Sequence, residues 1–235
     1  MKWVKDTTGR FSQRPFYEES ELDFECEALV SSFLLDKYGK VSYPLSTDDL
    51  TILIEQHTSD LDQYADLTKE GNDVEGMTVF LRDAKPKVLI DQKLSDHPNR
   101  ENRRRTTLSH ELGHVRFHGF LVSAQQLPLF SMGNNALTIV CKRDAILNAN
   151  KVDWMEWQAG YASGAYLMPI TPIRELVQQG FANANAPSVQ STSSTLGQDL
   201  IHKVQTLFQV SEEAARVRLI KLGFLTSQQV PMSLF

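Results

Sequence analysis

The first regular pattern in the chain is a run of apolar residues at helical spacing near its N-terminal end. The positions that keep this spacing are Leu22, Cys26, Leu29, Val30, Phe33 and Leu34. Apolar residues three and four apart share one face of a helix, so we predict an amphipathic helix over residues 18–37 that ends near Gly39. A second helix is predicted to start at Asp48, with Ser46 or Thr47 as its cap.

Short apolar runs then replace the helical pattern. The stretch from residue 58 to residue 75 is mostly polar, whereas residues 77–81 and 88–90 are predicted to be strands around a turn at residues 83–86, which makes them a hairpin. A further strand is predicted at residues 137–141. Residues 181–194 are mainly Ala, Asn, Ser and Gln, a composition that buries little surface and predicts a mobile loop.

Helical spacing returns in the middle and at the end of the chain. Leu108, Leu112 and Val115 keep it, while Pro98 suits a first turn and Gly119 a helix end, so residues 98–118 are predicted to be a helix. Residues 200–211 and 212–222 predict a helix pair around a short turn. These elements indicate an α+β fold, in which we place a first domain at residues 1–170 and a helical C-terminal portion packed on it at residues 171–235.

Length and composition narrow the class of protein. The chain has 235 residues, 41% of them hydrophobic, enough to bury one sizeable core. No stretch has the apolar run of a signal peptide or a membrane span. The two cysteines, Cys26 and Cys141, lie far apart and suit a reducing compartment. We therefore expect a cytoplasmic globular protein that does not contact a membrane.

The charge of the chain bears on nucleic-acid binding. The formal net charge is -5, which argues against general nucleic-acid binding because that needs a dense basic surface. DNA readers share the C-terminal helix-turn-helix pattern, but a packed helix pair is its commoner meaning, so direct DNA binding is not expected. The one basic run, residues 103–105, is interpreted as the solvated flank of a helix, with contacts to acidic substrate groups as the alternative.

The sharpest chemical signal is an H-E-x-x-H motif at residues 110–114, inside the predicted helix. Four residues of helix advance about 400°, so His110 and His114 stand one turn apart on one face and can hold one Zn²⁺. Glu111 projects beside them. A carboxylate there can take the proton of an attacking water, whose pKa zinc lowers from 15.7 towards about 7. The motif predicts peptide-bond hydrolysis, against the alternative of an ordinary helix with hydrogen-bonded histidines.

A third metal ligand is needed to complete such a site. Metzincins place a histidine six residues after the second motif histidine, but here Phe120 occupies that position and Phe117 the glycine before it. His118 lies about 12 Å along a straight helix from His110, too far for both to reach one ion. We therefore expect His118 to act behind the ligands or at the helix end.

Glu156 is the favoured third ligand because of the small residues that follow it. On a helix, these share its side: Ala159, Gly160, Ser163 and Gly164. Small residues let two helix axes approach closely, so we predict that this face lies against the helix with the two histidines. The alternative role for Glu156 is a glutamate on a solvated helix face. Asp144 and Asp153 are weaker candidates for the third ligand.

Together these motifs resemble the ImmA/IrrE family of metallo-endopeptidases, which are zincins. The resemblance rests on residues 104–114, on Glu156-x-x-Ala159 and on the Leu-Met-Pro at residues 167–169. It implies a zincin-like α+β domain with a small sheet and an active-site helix. It also implies zinc held by His110, His114 and Glu156, with Glu111 as general base, and a helix-turn-helix transcriptional repressor as the protein substrate.

Two other functions stay open from the sequence. One is a non-enzymatic regulator with a structural zinc site, whose C-terminal helices bind DNA or a repressor. The other is a component of a toxin-antitoxin pair. For an enzyme, a further donor must stabilise the tetrahedral intermediate, and Tyr161, Tyr166 and His202 are the candidates.

Overall fold

A computed structural model describes residues 1–81, 84–123, 136–142, 153–186 and 189–227. Its main sheet has four strands, β3 (Asp60–Ala65), β4 (Val74–Leu81), β5 (Ala84–Asp91) and β6 (Ala136–Lys142). Their order is β3-β5-β4-β6, with β3 parallel to β5 and the other two pairs antiparallel. The β4–β5 pair confirms the predicted hairpin and β6 confirms the strand at residues 137–141. β3 was not predicted.

A second, smaller ribbon forms at the start of the chain. Strands β1 (Lys2–Lys5) and β2 (Gln13–Phe16) pair antiparallel, with Trp3 opposite Pro15. Phe11, in the turn between them, packs edge to face on Trp154, and Arg10 forms a 2.6 Å ion pair with Asp153. The hydrophobic pattern did not predict this ribbon, which the two contacts fasten to a distant part of the chain.

The first two helices form as predicted. Helix α1 (Glu19–Tyr38) ends at Gly39, which adopts the left-handed conformation with φ of 69° that glycine accepts without strain. Helix α2 (Thr47–Glu55) is capped by Ser46, whose side chain accepts a hydrogen bond from the Asp49 backbone N–H. A short helix, α3 (Gln92–Ser95), then follows β5.

The helix with the motif is longer than predicted. A 3-10 turn at Pro98–Arg100 leads into α4 (Glu101–Ser123), so the helix continues past Gly119. A Cβ at Gly119 would lie 3.6 Å from Pro86 and 3.9 Å from Phe80. The helix therefore packs on the sheet at this point, and its next turn buries Leu121. Tertiary packing outweighs the tendency of glycine to end a helix.

Four helices and a short pair of parallel strands complete the part of the chain that the structure describes. They are α5 (Trp154–Leu167), α6 (Ile170–Ala184), α7 (Thr195–Phe208), α8 (Glu212–Lys221), β7 (Gln190–Ser191) and β8 (Leu225–Thr226). Ser211 caps α8, since its side chain accepts a hydrogen bond from the Ala214 backbone N–H. The prediction of a loop over residues 181–194 is wrong near both of its ends. Helix α6 continues to Ala184, and β7 pairs with β8. Residues 187–188 lie outside the described part.

The main hydrophobic core includes residues from α1 through β8, from Leu22 to Leu225. The buried residues Leu200, Val204 and Phe208 of α7 belong to it together with Leu108 and Leu112 of α4. The helical C-terminal portion thus packs into the same core as the motif helix, while the boundary at residue 170 stays a prediction. No helix in the described ranges has the length and apolar character needed to cross a membrane.

Candidate metal centre

The site lies where α4 and α5 pass very close to each other. A Cβ at Gly113 would lie 2.9 Å from the Cα of Ala159 and 3.1 Å from its carbonyl oxygen, closer than real Cβ atoms come. Only glycine fits there. Gly113 lies between the two motif histidines, and Ala159 lies one turn after Glu156, so this contact brings the carboxylate to the histidines.

The small face of α5 meets α4 through two of the four residues that we expected there. Ala159 packs on Gly113, and the Ser163 hydroxyl forms a 2.8 Å hydrogen bond with that of Ser109 on α4. Gly164, however, faces away: a Cβ there would lie 3.6 Å from the Arg218 side chain of α8. Gly160 lines a narrow crevice with Gly164 and residues of α8. The prediction that Gly164 meets the motif helix is wrong, because the helix turns it towards α8.

Three side chains converge at the contact between the helices. The Nε2 atoms of His110 and His114 are 3.0 Å apart, and each lies 3.2 Å from a different carboxylate oxygen of Glu156. Both imidazoles are fully buried. Among the described residues, these three form the one group of His, Cys, Asp or Glu side chains close enough to hold a metal ion together.

The spacing of these atoms fits a small divalent metal ion. Bonds of about 2.0–2.1 Å in a tetrahedron place the ligand atoms about 3.3 Å apart. Here the two histidine Nε2 atoms are 3.0 Å apart, and each lies 3.2 Å from one of the two carboxylate oxygens of Glu156. Two imidazole nitrogens and a carboxylate oxygen also form a donor set that such an ion accepts. The residues present therefore fit a metal with three protein ligands.

The electrostatics of the cluster favour a cation. Burial lowers the pKa of His110, which keeps its imidazole neutral. Burial also lowers the pKa of His114, but the hydrogen bond and charge of Glu156 and the charge of Glu111 outweigh it, so the net shift is upward. Burial alone would raise the pKa of Glu156, yet the two histidines hold it well below its ordinary value. The carboxylates therefore draw positive charge to this point.

Strand β4 positions the carboxylate of Glu111. The Thr78 hydroxyl donates a 2.5 Å hydrogen bond to Glu111 Oε2, and both side chains are fully buried. Two residues earlier, a Cβ at Gly76 would lie 2.4 Å from Glu111 Oε1. Thr78 therefore orients the carboxylate, and Gly76 leaves the space it occupies. Neither residue stands out in the sequence, since both precede the motif by more than thirty positions.

His118 lies behind His114, in the kind of role expected for it. Its Nδ1 is 3.0 Å from Nδ1 of His114, and its Nε2 is 3.0 Å from Oε1 of Gln158. Burial lowers its pKa well below the ordinary value, so the ring is neutral. The sequence analysis did not identify Gln158 as a residue of the site, although it lies only two residues after Glu156.

The other residues considered as metal ligands, or as donors to the tetrahedral intermediate, make contacts away from the cluster or lie outside the described residues. Asp153 caps α5 and pairs with Arg10, while Asp144 lies outside the described residues. The Tyr161 hydroxyl donates to Asp23, Tyr166 is buried beside Cys26, and His202 is exposed on α7. None of these contacts places a donor for the tetrahedral intermediate at the cluster.

The basic run on α4 is not a solvated flank, contrary to our interpretation. Arg105 is buried, and its guanidinium donates to the carbonyls of Leu45, Phe208 and Gln209. Arg103 pairs with the buried Glu75 of β4. Arginine suits such sites because its planar group presents several donors at once. The run therefore fastens α4 to its neighbours.

Comparison with known proteins agrees with this geometry. The family model described as the IrrE N-terminal-like domain (Peptidase_M78) matches residues 93–220, more than half of the chain. The matched segment begins in α3 and contains α4, α5 and the C-terminal helices up to the end of α8. No curated protein matches the chain.

Proposed function

The chain belongs to the ImmA/IrrE family of metallopeptidases, and from that premise we propose that it is a zinc-dependent endopeptidase. The observation that carries the proposal is the group of His110, His114 and Glu156, in which each histidine Nε2 lies 3.2 Å from a carboxylate oxygen. Among the described residues, three side chains can bind the ion together; three protein ligands are usual for a catalytic zinc ion, whereas structural zinc sites have four. This number supports an enzyme over a regulator with a structural site.

The proposed mechanism assigns a distinct role to each side chain. A zinc ion bound by His110, His114 and Glu156 would acidify the attacking water and polarise the scissile carbonyl. Glu111 accepts the proton of that water and delivers it to the nitrogen of the leaving amine. Thr78 has only one hydroxyl proton and donates it to Glu111 Oε2. This contact holds the carboxylate in one orientation throughout.

We propose further that the substrate is a helix-turn-helix transcriptional repressor, on the strength of the family resemblance. The sheet supports binding of an extended peptide, because β6 lies at the edge of the described strand order beside β4. An edge strand can pair with a substrate backbone. β4, which bears Gly76 and Thr78, is the neighbour of β6, so a chain paired with β6 would lie one strand away from the strand that positions Glu111.

Metal content and cleavage, measured on the same three proteins, test the proposal. We expect wild type to bind about one zinc per chain and to cleave the repressor encoded beside its gene. His114→Ala should lose zinc. Glu111→Gln should keep zinc and fold but lose cleavage by about 10²–10⁴-fold, because an amide cannot accept the proton. Undiminished zinc in His114→Ala would refute the ligand assignment, and wild-type cleavage by Glu111→Gln would refute the base.

A further inference from the structure

A line of buried hydrogen bonds connects the metal cluster to the N-terminal ribbon. Nδ1 of His114 lies 3.0 Å from Nδ1 of His118, and Nε2 of His118 lies 3.0 Å from Oε1 of Gln158. The Gln158 amide nitrogen then donates a 3.0 Å hydrogen bond to the carbonyl oxygen of Pro15 in β2. His114, His118 and Gln158 are at most 1% exposed, so the line is shielded from solvent.

The last bond of the line fixes the direction of all the others. A backbone carbonyl can only accept, so the Gln158 atom that faces Pro15 is its NH₂ group, and its oxygen faces His118. That oxygen also only accepts, so His118 has its proton on Nε2. A second proton would put a positive charge on this fully buried ring, which is costly, so Nδ1 of His118 accepts and His114 donates from its own Nδ1.

We propose that Pro15, Gln158 and His118 act as a positioning relay that holds His114 in the tautomer able to bind the metal. With its proton on Nδ1, His114 can use the lone pair of Nε2 for a metal ion bound together with His110 and Glu156. This inference rests on the proposed function, because it assigns the relay to that metal site. The three relay residues touch no substrate and act only through His114.

The opposite direction of the relay would disable the site. If every bond were reversed, His114 would have its proton on Nε2, pointing into the cluster, and would have no lone pair there for a metal. The reversal would also turn the Gln158 oxygen towards the Pro15 oxygen, two acceptors at a distance of 3.0 Å. That contact is repulsive, so the Pro15 carbonyl selects the binding-competent direction.

The relay gives the N-terminal ribbon a role in the metal site. Pro15 lies outside residues 93–220, which match the family model, yet its carbonyl is the terminal acceptor. The ribbon is held in place by the pairing of Pro15 with Trp3 and by the ion pair between Arg10 and Asp153. Asp153 caps α5, so the same contacts fix the ribbon relative to both Gln158 and Glu156.

A purely structural role for His118 and Gln158 makes a different prediction. In that case their hydrogen bond would stabilise the packing of α4 on α5 without affecting the His114 tautomer. Three variants separate the two roles. Gln158→Met removes both hydrogen-bonding groups. Gln158→Glu, protonated because the site is buried, keeps an acceptor for His118 and a donor for Pro15. Tyr161→Phe removes a buried hydrogen bond of α5 to Asp23 outside the relay.

Zinc affinity, measured by competition with a chelator on folded protein, is the first readout. Loss of a partner behind a metal ligand typically weakens metal binding about 10–100-fold, and we expect a loss of this size in Gln158→Met. Gln158→Glu should bind zinc more tightly than Gln158→Met, and Tyr161→Phe should bind it like wild type. Wild-type affinity in folded Gln158→Met, or equal weakening in the Met and Glu variants, would overturn the relay.

The second readout is the tautomer of His118, observed in the zinc-free wild type by ¹H–¹⁵N correlation of labelled histidine rings. We expect its proton on Nε2, which faces Gln158, and none on Nδ1, which faces His114. A proton on Nδ1 of His118 would overturn the relay even if wild type binds zinc. If wild type binds no zinc, the proposed function fails, whereas the spectrum still decides the direction of the relay.

Discussion

Glu111 is held by two neighbours on β4 that act in opposite ways. Thr78 contributes a hydroxyl that donates to Oε2, whereas Gly76 contributes only the absence of a side chain beside Oε1. A general base must lie within hydrogen-bonding reach of the proton it takes, so small displacements of its carboxylate reduce the rate strongly. The two β4 residues therefore control the geometry of the base without taking part in proton transfer.

A single methyl group at Gly76 should therefore separate catalysis from metal binding. In Gly76→Ala the new Cβ would lie 2.4 Å from Glu111 Oε1 and 2.9 Å from Thr107, so the carboxylate must move. We expect cleavage to fall at least about 10-fold, with zinc content unchanged because no metal ligand is touched. Cleavage kinetics with the proposed repressor substrate and metal analysis measure the two effects.

The matched control is Gly119→Ala on α4. A Cβ there would make ordinary contacts at 3.6 and 3.9 Å, and alanine favours a helix over glycine by about 1 kcal/mol. That variant should therefore cleave like wild type and be equally or more stable. Full activity of Gly76→Ala would show that Glu111 does not depend on the space at Gly76.

At the residue scale, the sequence predicted the site only where the spacing of residues along a helix determines which functional groups lie together. The positions of His110, Glu111 and His114 follow from the H-E-x-x-H pattern, and the structure brings Glu156 to the two histidines. Thr78 and Pro15 reach the site across more than thirty and about a hundred positions of the chain, respectively. No local pattern encodes such contacts, because tertiary packing creates them.

At the scale of elements, the approach of α4 to α5 decides whether three ligands can meet. Gly113 is the point of closest approach, since a Cβ there would lie 2.9 Å from the backbone of Ala159. Backbone atoms cannot rotate away as a side chain can. The axes of the two helices must therefore separate if Gly113 is enlarged, and Glu156 moves with α5.

We expect Gly113→Ala to weaken zinc binding strongly, although alanine is the better helix former. Overpacking of this kind costs about 1–3 kcal/mol, so affinity must be compared under conditions where circular dichroism shows both proteins folded. Gly164→Ala is the paired control, because its Cβ would make an ordinary van der Waals contact with the Arg218 side chain at 3.6 Å. Equal zinc affinities of the two variants would contradict the close approach as the cause.

Elements whose apolar residues recur at a regular spacing could be predicted from the sequence, and elements without such a pattern could not. α1 and α2 begin within one residue of the predicted positions because apolar residues recur at helical spacing. β3 was missed because its sequence, Asp-Leu-Asp-Gln-Tyr-Ala, is polar and mostly exposed on an outer strand of the sheet. The extension of α4 past Gly119 was missed because packing on Pro86 and Phe80 decided it.

At the scale of the whole molecule, a buried ion pair joins the first long helix to the last. Arg218 of α8 and Asp23 of α1 lie 2.5 Å apart, with side chains 2% and 5% exposed. Arg218 also donates to the Met168 carbonyl, and Tyr161 donates to the same Asp23 carboxylate. The C-terminal portion is therefore tied to the middle and the C-terminal end of α5, the helix that bears Glu156.

Because the C-terminal helices share this network and one hydrophobic core with α1, α4 and α5, we expect residues 171–235 to unfold together with the rest. Removal of one partner from a buried ion pair costs about 3–5 kcal/mol, since the other charge stays buried without compensation. Arg218→Met and Asp23→Asn should each cost about this much, and the double variant should cost clearly less than the sum. Urea unfolding at fixed zinc concentration, followed by circular dichroism and tryptophan fluorescence, measures all three.

Lys203→Met is the control, because its pair with Asp199 is 46% exposed on both sides and such surface pairs contribute little to stability. Coincident single transitions for both probes, shifted as a whole in the Arg218 and Asp23 variants, would show one cooperative unit. Two transitions, with only one of them shifted, would instead mean that the C-terminal portion folds on its own. In that case its packing against α5 could not be what keeps Glu156 in place.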